Sequence, residues 1–264
     1  MPKSKPPAKD EAQNNSKWII PASIKYRQDL GLSPSDYIVT WLSSWVEEFG
    51  IDGFRADTAK HIEPEIFLKL KEKSNIALKT WRLNNLDSPG ASWSEDFFIT
   101  AEVYGQGTDN NYYYDNGFDS VINFKFPKGD TLDHLEEIYS EYSNKINTTE
   151  DFNVLSYISS HDTGLTRGNL INLGTKLLLA PGGIQIYYGD ESNRLASTSI
   201  ITTAVDQGSR SDMNWDSLDK EVLSHFQKLG QFRNNHLSVG GGIHEMIDST
   251  DYAFKKKKKK DGFS

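Results

Sequence analysis

The sequence predicts an α/β protein built on a parallel sheet. Short apolar runs of strand length alternate with longer segments whose apolar residues recur at helical spacing, and turn residues separate the two. Acidic residues gather where the strand candidates end. The length, 264 residues, sits close to the roughly 250 of a closed barrel of eight βα units.

Residues 1–16 are Pro, Lys, Asn and other polar types without periodicity, the composition of a disordered leader. From Ser33 the pattern changes. Ser33 and Pro34 cap and open a helix over 34–49, Ile38, Leu42, Trp45, Val46 and Phe49 recur at helical spacing, and Gly50 ends it. Residues 53–58 read as a short strand, followed by a helix over 64–79 with Ile66, Phe67, Leu70 and Leu78 apolar. A polar loop at 83–96 leads to a strand at 97–103, and a loop rich in Asn and Tyr leads to another at 120–124. A helix over 131–146, a strand at 154–159, a helix over 169–180 and a strand at 184–188 continue the alternation. An irregular stretch at 190–217 precedes a helix over 218–235. Residues 243–254 open a β-rich segment that runs into six lysines at 255–260. That run reads as a solvated tail or, from the abruptness of the break, as the mark of a frame slip in a run of identical codons, which is the preferred reading.

Lys and Arg total 29 against 37 Asp and Glu, and with the lysine run set aside the rest of the chain carries −14. A body that acidic repels phosphate backbones, which argues against nucleic acid as a partner and against a module that binds through the lysine run. Without cysteine there is no disulfide, thiolate metal site or cysteine nucleophile, so any metal binds through oxygen or histidine. No stretch approaches the ~18 apolar residues of a membrane span, so no membrane partner is expected. The first ten residues lack the apolar core of a signal peptide, and the chain as written reads as cytoplasmic. The 31 aromatic residues supply core first and flat platforms for sugar rings second.

The chemistry lies at the strand ends. Arg55 and Asp57 are two apart at the end of one strand and so project to the same face. Glu102 ends the next strand, and His161-Asp162 ends a later one. In a parallel barrel all C-terminal strand ends open on one face, so Asp57, Glu102 and Asp162 should converge. A single Asp there is most often a cap, but three carboxyls with an Arg and a His beside them imply a metal or a proton-transfer task. Arg55 should keep Asp57 ionised as a nucleophile requires, and two neighbouring anions should raise Glu102 as a general acid requires. An ionised and a protonated carboxyl roughly 5 to 5.5 Å apart suit glycoside hydrolysis with retention.

The stretches Gly53-Phe54-Arg55-Ala56-Asp57-Thr58-Ala59-Lys60-His61, Ala101-Glu102-Val103 and Ser160-His161-Asp162 resemble the three later signature regions of the alpha-amylase superfamily of glycoside hydrolases. Residues 116–124, 152–157, 186–191 and 210–215 are similar to the C-terminal half of its bacterial periplasmic members. The resemblance implies Asp57 as nucleophile, Glu102 as general acid and base, and Asp162 as the group that stabilises the transition state. It implies substrate contacts from Arg55, Lys60, His61 and His161, and a structural calcium ligated by the His61 carbonyl, which suits an oxygen-only site. It makes Asp190 and Glu191 structural. Trp93, Tyr104, Tyr112 and Tyr113 are loop aromatics that could stack on sugar, although packing or plain loop structure is the commoner role.

The chain departs from the family upstream of residue 34, where the Asp and Asn-His of the first signature region should lie; Asn235-His236 comes after the last strand. The calcium site is therefore half present at best. The fold implied is α/β, a partial TIM (β/α)8 barrel containing units four to eight with the start of a C-terminal β domain. Its domains are the leader over 1–16, a partial barrel catalytic domain over 17–240, and the truncated start of a β domain with the Lys run over 241–264. The function implied is retaining hydrolysis of α-1,4 bonds in starch, glycogen or maltodextrins; the alternative is a catalytically inactive fragment or weak carbohydrate binder. Expected partners are an α-glucan or maltooligosaccharide and the missing N-terminal half. The resemblance implies a periplasmic or secreted location.

Overall fold

The structure, a computed structural model, describes residues 33–197, 208–250 and 252–257. The expected leader, part of the irregular stretch and residues 258–260 of the lysine run lie outside the described residues. The elements run α1 (Pro34–Phe49), β1 (Gly53–Ala56), α2 (Glu65–Asn84), β2 (Phe98–Ala101), β3 (Ser120–Asn123), α3 (Leu135–Thr148), β4 (Val154–Tyr157), α4 (Leu170–Leu178), β5 (Gly183–Gln185), α5 (Lys220–Asn235), the short α6 (Ser238–Gly241), β6 (Ile243–Asp248) and β7 (Ala253–Lys257). Strands β1 to β5 form one sheet in that order, and β6 pairs with β7. The fold class is the expected α/β, and the described residues divide into two compact units, one of those up to 99 with 115–118 and the other of 100–114 with those from 119 onward.

In the first unit, Ser33 Oγ accepts the Asp36 N–H at 3.2 Å and Pro34 fills the first turn, so α1 starts where the sequence places it. Gly50 ends it at φ 66°, returning its N–H to Val46, and a Cβ at that position would overlap the Trp81 ring. The helix buries Val39 and Val46, leaving Ile38, Trp45 and Phe49 at 51%, 41% and 62% exposure. Of the expected apolar positions, only Val46 is therefore fully covered. Trp41, Trp45 and Phe49 instead form an exposed edge-to-face series, with centroids 5.8 and 6.5 Å apart. Helix α2 outruns its expected end at 79 because its last turns still have partners. Arg82, 8% exposed, donates to the Glu95 carbonyl at 2.7 Å and lies 3.6 Å from Asp52.

In the second unit, β2–β3, β3–β4 and β4–β5 are parallel pairs, with Thr100 opposite Ser120, Val121 opposite Val154 and Leu155 opposite Gly183. Every residue of β3 is buried, as a strand covered on both faces requires. Its two polar members are paired: Ser120 Oγ donates to Thr100 Oγ1 at 2.8 Å, and Asn123 Nδ2 donates to Tyr142 Oη at 2.9 Å. One apolar cluster joins Ile138 and Tyr142 of α3, Leu173 and Leu177 of α4, and Val222 and Phe226 of α5. Phe226 lies so close to Gly174 that a Cβ there would approach its ring to 2.6 Å. Strand β5 stops at Gln185, short of the expected 188, because the Tyr187 N–H turns to Asp190 Oδ2 at 3.3 Å and Gly189 bends the chain at φ 86°.

At the end of the described chain the first three lysines of the run are part of a strand and not a solvated tail. Lys255, Lys256 and Lys257 continue β7, paired with Glu245, His244 and Ile243 of β6. Lys255 and Lys257 point outward to Glu245, while the Lys256 amine turns inward, 5.0 Å from the centre of the Tyr139 ring. Its Nζ is buried and has no hydrogen-bond partner among the described residues. Burial, reinforced by the Arg233 charge, pulls the Lys256 amine down to about 7. Its neighbour His244 has a wholly buried side chain and holds Glu136 Oε2 through Nε2 at 2.6 Å.

A lysine whose pKa is depressed on folding penalises the native state most at and below the folded pKa, and the penalty fades as pH rises towards the unfolded pKa. Stability is therefore expected to rise between about pH 7 and 10. Lys256→Met should raise stability at pH 7 by about 1–2 kcal/mol and flatten that rise, as read from urea midpoints across the pH range. A variant that keeps the wild-type slope would refute the assignment.

Candidate active site

The first unit supplies Arg55, Asp57, Lys60 and His61. Arg55 lies on β1 and Asp57 follows it directly, with Nη1 and Oδ1 3.9 Å apart. Alternation along the strand brings the two together, as the sequence predicts. Thr58 then takes φ 54°, a left-handed conformation rare for a β-branched residue, and its Oγ1 donates to Asp57 Oδ1 at 3.0 Å. That turn places Lys60 and His61 on a single 3-10 turn, both exposed.

The second unit supplies Glu102, His161 and Asp162. Glu102 follows β2 directly and is half-buried. His161 and Asp162 lie beyond β4 in a turn closed by a bridge between Ser160 and Gly164, the latter at φ 83°. Within this turn Ser160 Oγ accepts the N–H groups of Asp162 and Thr163 at 3.3 and 3.0 Å. Both oxygens of Asp162 are engaged: His161 Nε2 lies 2.9 Å from Oδ2, and Arg210 Nη2 donates to Oδ1 at 2.8 Å. The Asp162 and Arg210 side chains are 47% and 43% exposed, so the pair adds little to stability and its effect is to orient the carboxylate.

Arg210 is the participant that sequence reasoning missed. It stands in an irregular stretch with no periodicity, within the similar segment 210–215. What positions it is a buried scaffold. Arg194 is 1% exposed and donates from Nε and Nη2 to the Tyr188 carbonyl at 3.0 and 2.9 Å. It also donates to the carbonyls of Ser209 and Ser211 at 3.0 and 3.1 Å, one on either side of Arg210. Its guanidinium lies 3.9 Å from the centre of the Tyr188 ring. Ser209 Oγ donates to the His161 carbonyl at 2.8 Å, tying that segment to the turn that carries Asp162. Asp190 is wholly buried and accepts from Arg167 Nη1 at 2.8 Å. Its burial pushes the carboxyl up against the opposing hydrogen bonds of Ser159 and Arg167.

Of the loop aromatics, Trp93, Tyr104 and Tyr112 are exposed, whereas Tyr113, expected on the rim, is 3% exposed and belongs to the core. For the metal, no three or more His, Asp or Glu side chains among the described residues come together in a group that could hold an ion. The His61 carbonyl by itself is far from the six to eight oxygens calcium takes, so the described residues do not fit a complete calcium site, and no chemical step below runs through calcium. No described helix is long and apolar enough to cross a membrane.

No family model matches the chain. The chain is 41% identical over 219 residues to the periplasmic alpha-amylase of Escherichia coli (strain K12), a match spanning 80% of this chain and 32% of that protein. It is 27% identical over 177 residues to an alpha-amylase of Streptomyces lividans, spanning 56% of this chain and 18% of that one. Among solved structures, the alpha-amylase of Geobacillus thermoleovorans complexed with acarbose aligns with a TM-score of 0.64 at 19% identity, covering 86% of this chain and 50% of that one. That likeness bears out the partial (β/α)8 barrel. The chain thus spans about a third or less of these curated relatives.

Arg194→Lys cannot reach the carbonyls on both sides of Arg210 at once. It is expected to cost about 3 kcal/mol in urea unfolding and to speed amide exchange over 208–211. A loss below about 1 kcal/mol with unchanged exchange would show that the guanidinium does not hold that segment.

Proposed function

Since the chain is a relative of the alpha-amylases, similar to the C-terminal part of one of them, we propose that it hydrolyses α-1,4-glucosidic bonds in starch, glycogen or maltodextrins with retention at the anomeric carbon. The observation that carries this reading is that each of three carboxyls follows a strand end, with Arg55 beside Asp57 and with His161 and Arg210 on Asp162.

In this mechanism the Asp57 carboxylate attacks the anomeric carbon while Glu102 gives its proton to the departing glycosidic oxygen. Glu102, now a base, takes a proton from water, whose oxygen attacks the same carbon and releases Asp57. Two inversions give net retention. Arg55 orients Asp57 and favours its charged form, a requirement for a nucleophile. Asp162 grips sugar hydroxyls as the ring flattens towards an oxocarbenium ion, and His161 binds the same sugar. Lys60 and His61, on the turn after the nucleophile, bind the sugar on the leaving side. The name of the first relative supports a periplasmic or secreted setting.

A second reading, a carbohydrate binder without turnover, is favoured by one observation: both Asp162 oxygens are already engaged, at 2.9 and 2.8 Å. Substrate hydroxyls must then share or displace the Arg210 contact.

Release of reducing ends from maltoheptaose by the folded chain separates the two readings. On the hydrolase reading the first product is the α-anomer by proton NMR, and Asp57→Asn lowers turnover by about 10⁴-fold. Soluble, folded protein that binds the oligosaccharide and releases no reducing ends would leave the binder reading standing.

A further inference from the structure

Between β3 and α3 the chain carries Lys128, a half-buried lysine that the chemistry above does not use. Its Nζ lies 4.0 Å from the centre of the Tyr157 ring. An ammonium gains from the negative face of a ring, but its three N–H groups still need acceptors. Among the described residues no carboxylate pairs with Lys128, and no carbonyl or hydroxyl accepts from it. Carboxylates are not scarce in a chain with 37 Asp and Glu against 29 Lys and Arg, so this ammonium stands apart.

Its position is built from both sides. Before it, Phe126 is 2% exposed and belongs to the apolar cluster with Tyr142. After it, the Gly129 carbonyl accepts from Lys176 Nζ at 2.6 Å, and Lys176 of α4 is 2% exposed. Burial pulls that amine down against the opposing charges of Asp130 and Asp133, so a desolvated lysine is committed to one carbonyl beside Lys128. Asp130 Oδ2 accepts the Asn169 N–H at 3.2 Å, and the Asp130 carbonyl accepts from Asn172 Nδ2 at 3.0 Å.

The sheet fixes which way this ammonium lies. Asn123 Nδ2 donates to Tyr142 Oη of α3 at 2.9 Å and to Ser156 Oγ at 3.2 Å, which marks the helix side. Strand alternation sends Phe124 and Tyr157 to the opposite face, where their rings meet edge to face at 5.8 Å. Glu102 falls on that face too: it is two residues beyond Thr100, and Thr100 pairs with Ser120, which is in phase with Ile122 and Phe124. Lys128 therefore lies on the face of the sheet that carries Glu102.

A neutral polyol supplies what the ammonium lacks. Each sugar hydroxyl offers two lone pairs and, unlike an anionic ligand, is not repelled by neighbouring carboxylates. We infer that Lys128 is a substrate-binding, specificity-determining residue: its ammonium, held over Tyr157, donates to hydroxyl oxygens of a glucosyl unit bound beside Glu102. A donor placed for hydroxyls rejects rings that lack them. The inference rests on the glucan reading of the site and adds to it a residue outside the signature stretches.

Calorimetric titration with maltoheptaose, in an Asp57→Asn background so that ligand is not consumed, tests this role. Lys128→Met keeps an unbranched stem over the ring and removes the donors, and it is expected to weaken binding about tenfold. Lys128→Arg restores donors and charge and should hold affinity within about threefold of the parent. The urea midpoint of Lys128→Met should match the parent, whereas a merely structural lysine would move the midpoint and leave affinity alone. Should Lys128→Met not fold, NMR of the Lys128 chain with ¹³C at lysine Cε gives the same answer: the Lys128 resonance shifts on titration and that of buried Lys176 does not. Unchanged affinity in folded Lys128→Met, or an unmoved Lys128 resonance while maltoheptaose binds, overturns the inference and leaves the glucan reading standing. No binding of maltoheptaose at all overturns both.

Discussion

A buried guanidinium must find acceptors for its N–H groups, and Arg194 finds them in the backbone of two irregular segments. At 1% exposure it cannot turn to water, so the carbonyls of Tyr188, Ser209 and Ser211 converge on it. The rest of the site edge in the second unit follows from that convergence. With Ser209 and Ser211 held, Arg210 between them reaches Asp162 Oδ1, and Ser209 Oγ reaches the His161 carbonyl. Tyr187 and Tyr188 add their own hydroxyls to the Ser209 and Ser211 carbonyls at 3.2 and 2.9 Å. The result is a loop cluster as firmly tied as a regular element, although it has no regular hydrogen-bond ladder.

The contrast between buried and exposed charge runs through the molecule. Arg194 and Asp190 are buried, Arg167 beside them is 15% exposed, and all three are held by several partners, so they fix geometry. Asp57, Asp162 and Arg210 are substantially exposed, and their ion pairs contribute little to stability. Charges that are positioned but still in contact with water can exchange their partners for an incoming polar ligand. Thr58, at φ 54°, fits the same division: strain sits beside the exposed Asp57 carboxylate, and the surrounding turn sustains it.

At the β6–β7 hairpin the balance is different. His244 meets Glu136, but Lys256 is taken inward without a hydrogen-bond partner among the described residues, against the Tyr139 ring. Strand alternation forces this placement. Once Phe254 packs inward, the residue two further on shares its face, and that residue is a lysine. The aliphatic stem of Lys256 suits the apolar face and its amine does not.

The sequence by itself determined the order of elements, the first helix with its Ser33 cap and Gly50 end, and the carboxyls at three strand ends. Those features depend on local rules: capping chemistry, turn residues, the periods of helix and strand, and signature stretches that read the same in one dimension. It could not show that α1 buries Val39 and Val46 and leaves Trp45 and Phe49 outside, because the choice of face depends on the partner helix. Nor could it show that Lys255–Lys257 continue a strand, because a run of identical residues has no period. Arg210 on Asp162 and Lys128 over Tyr157 were equally out of reach. These contacts join residues whose separation in the chain carries no periodic signal, and only the tertiary structure, by satisfying buried donors such as Arg194, decided where they meet.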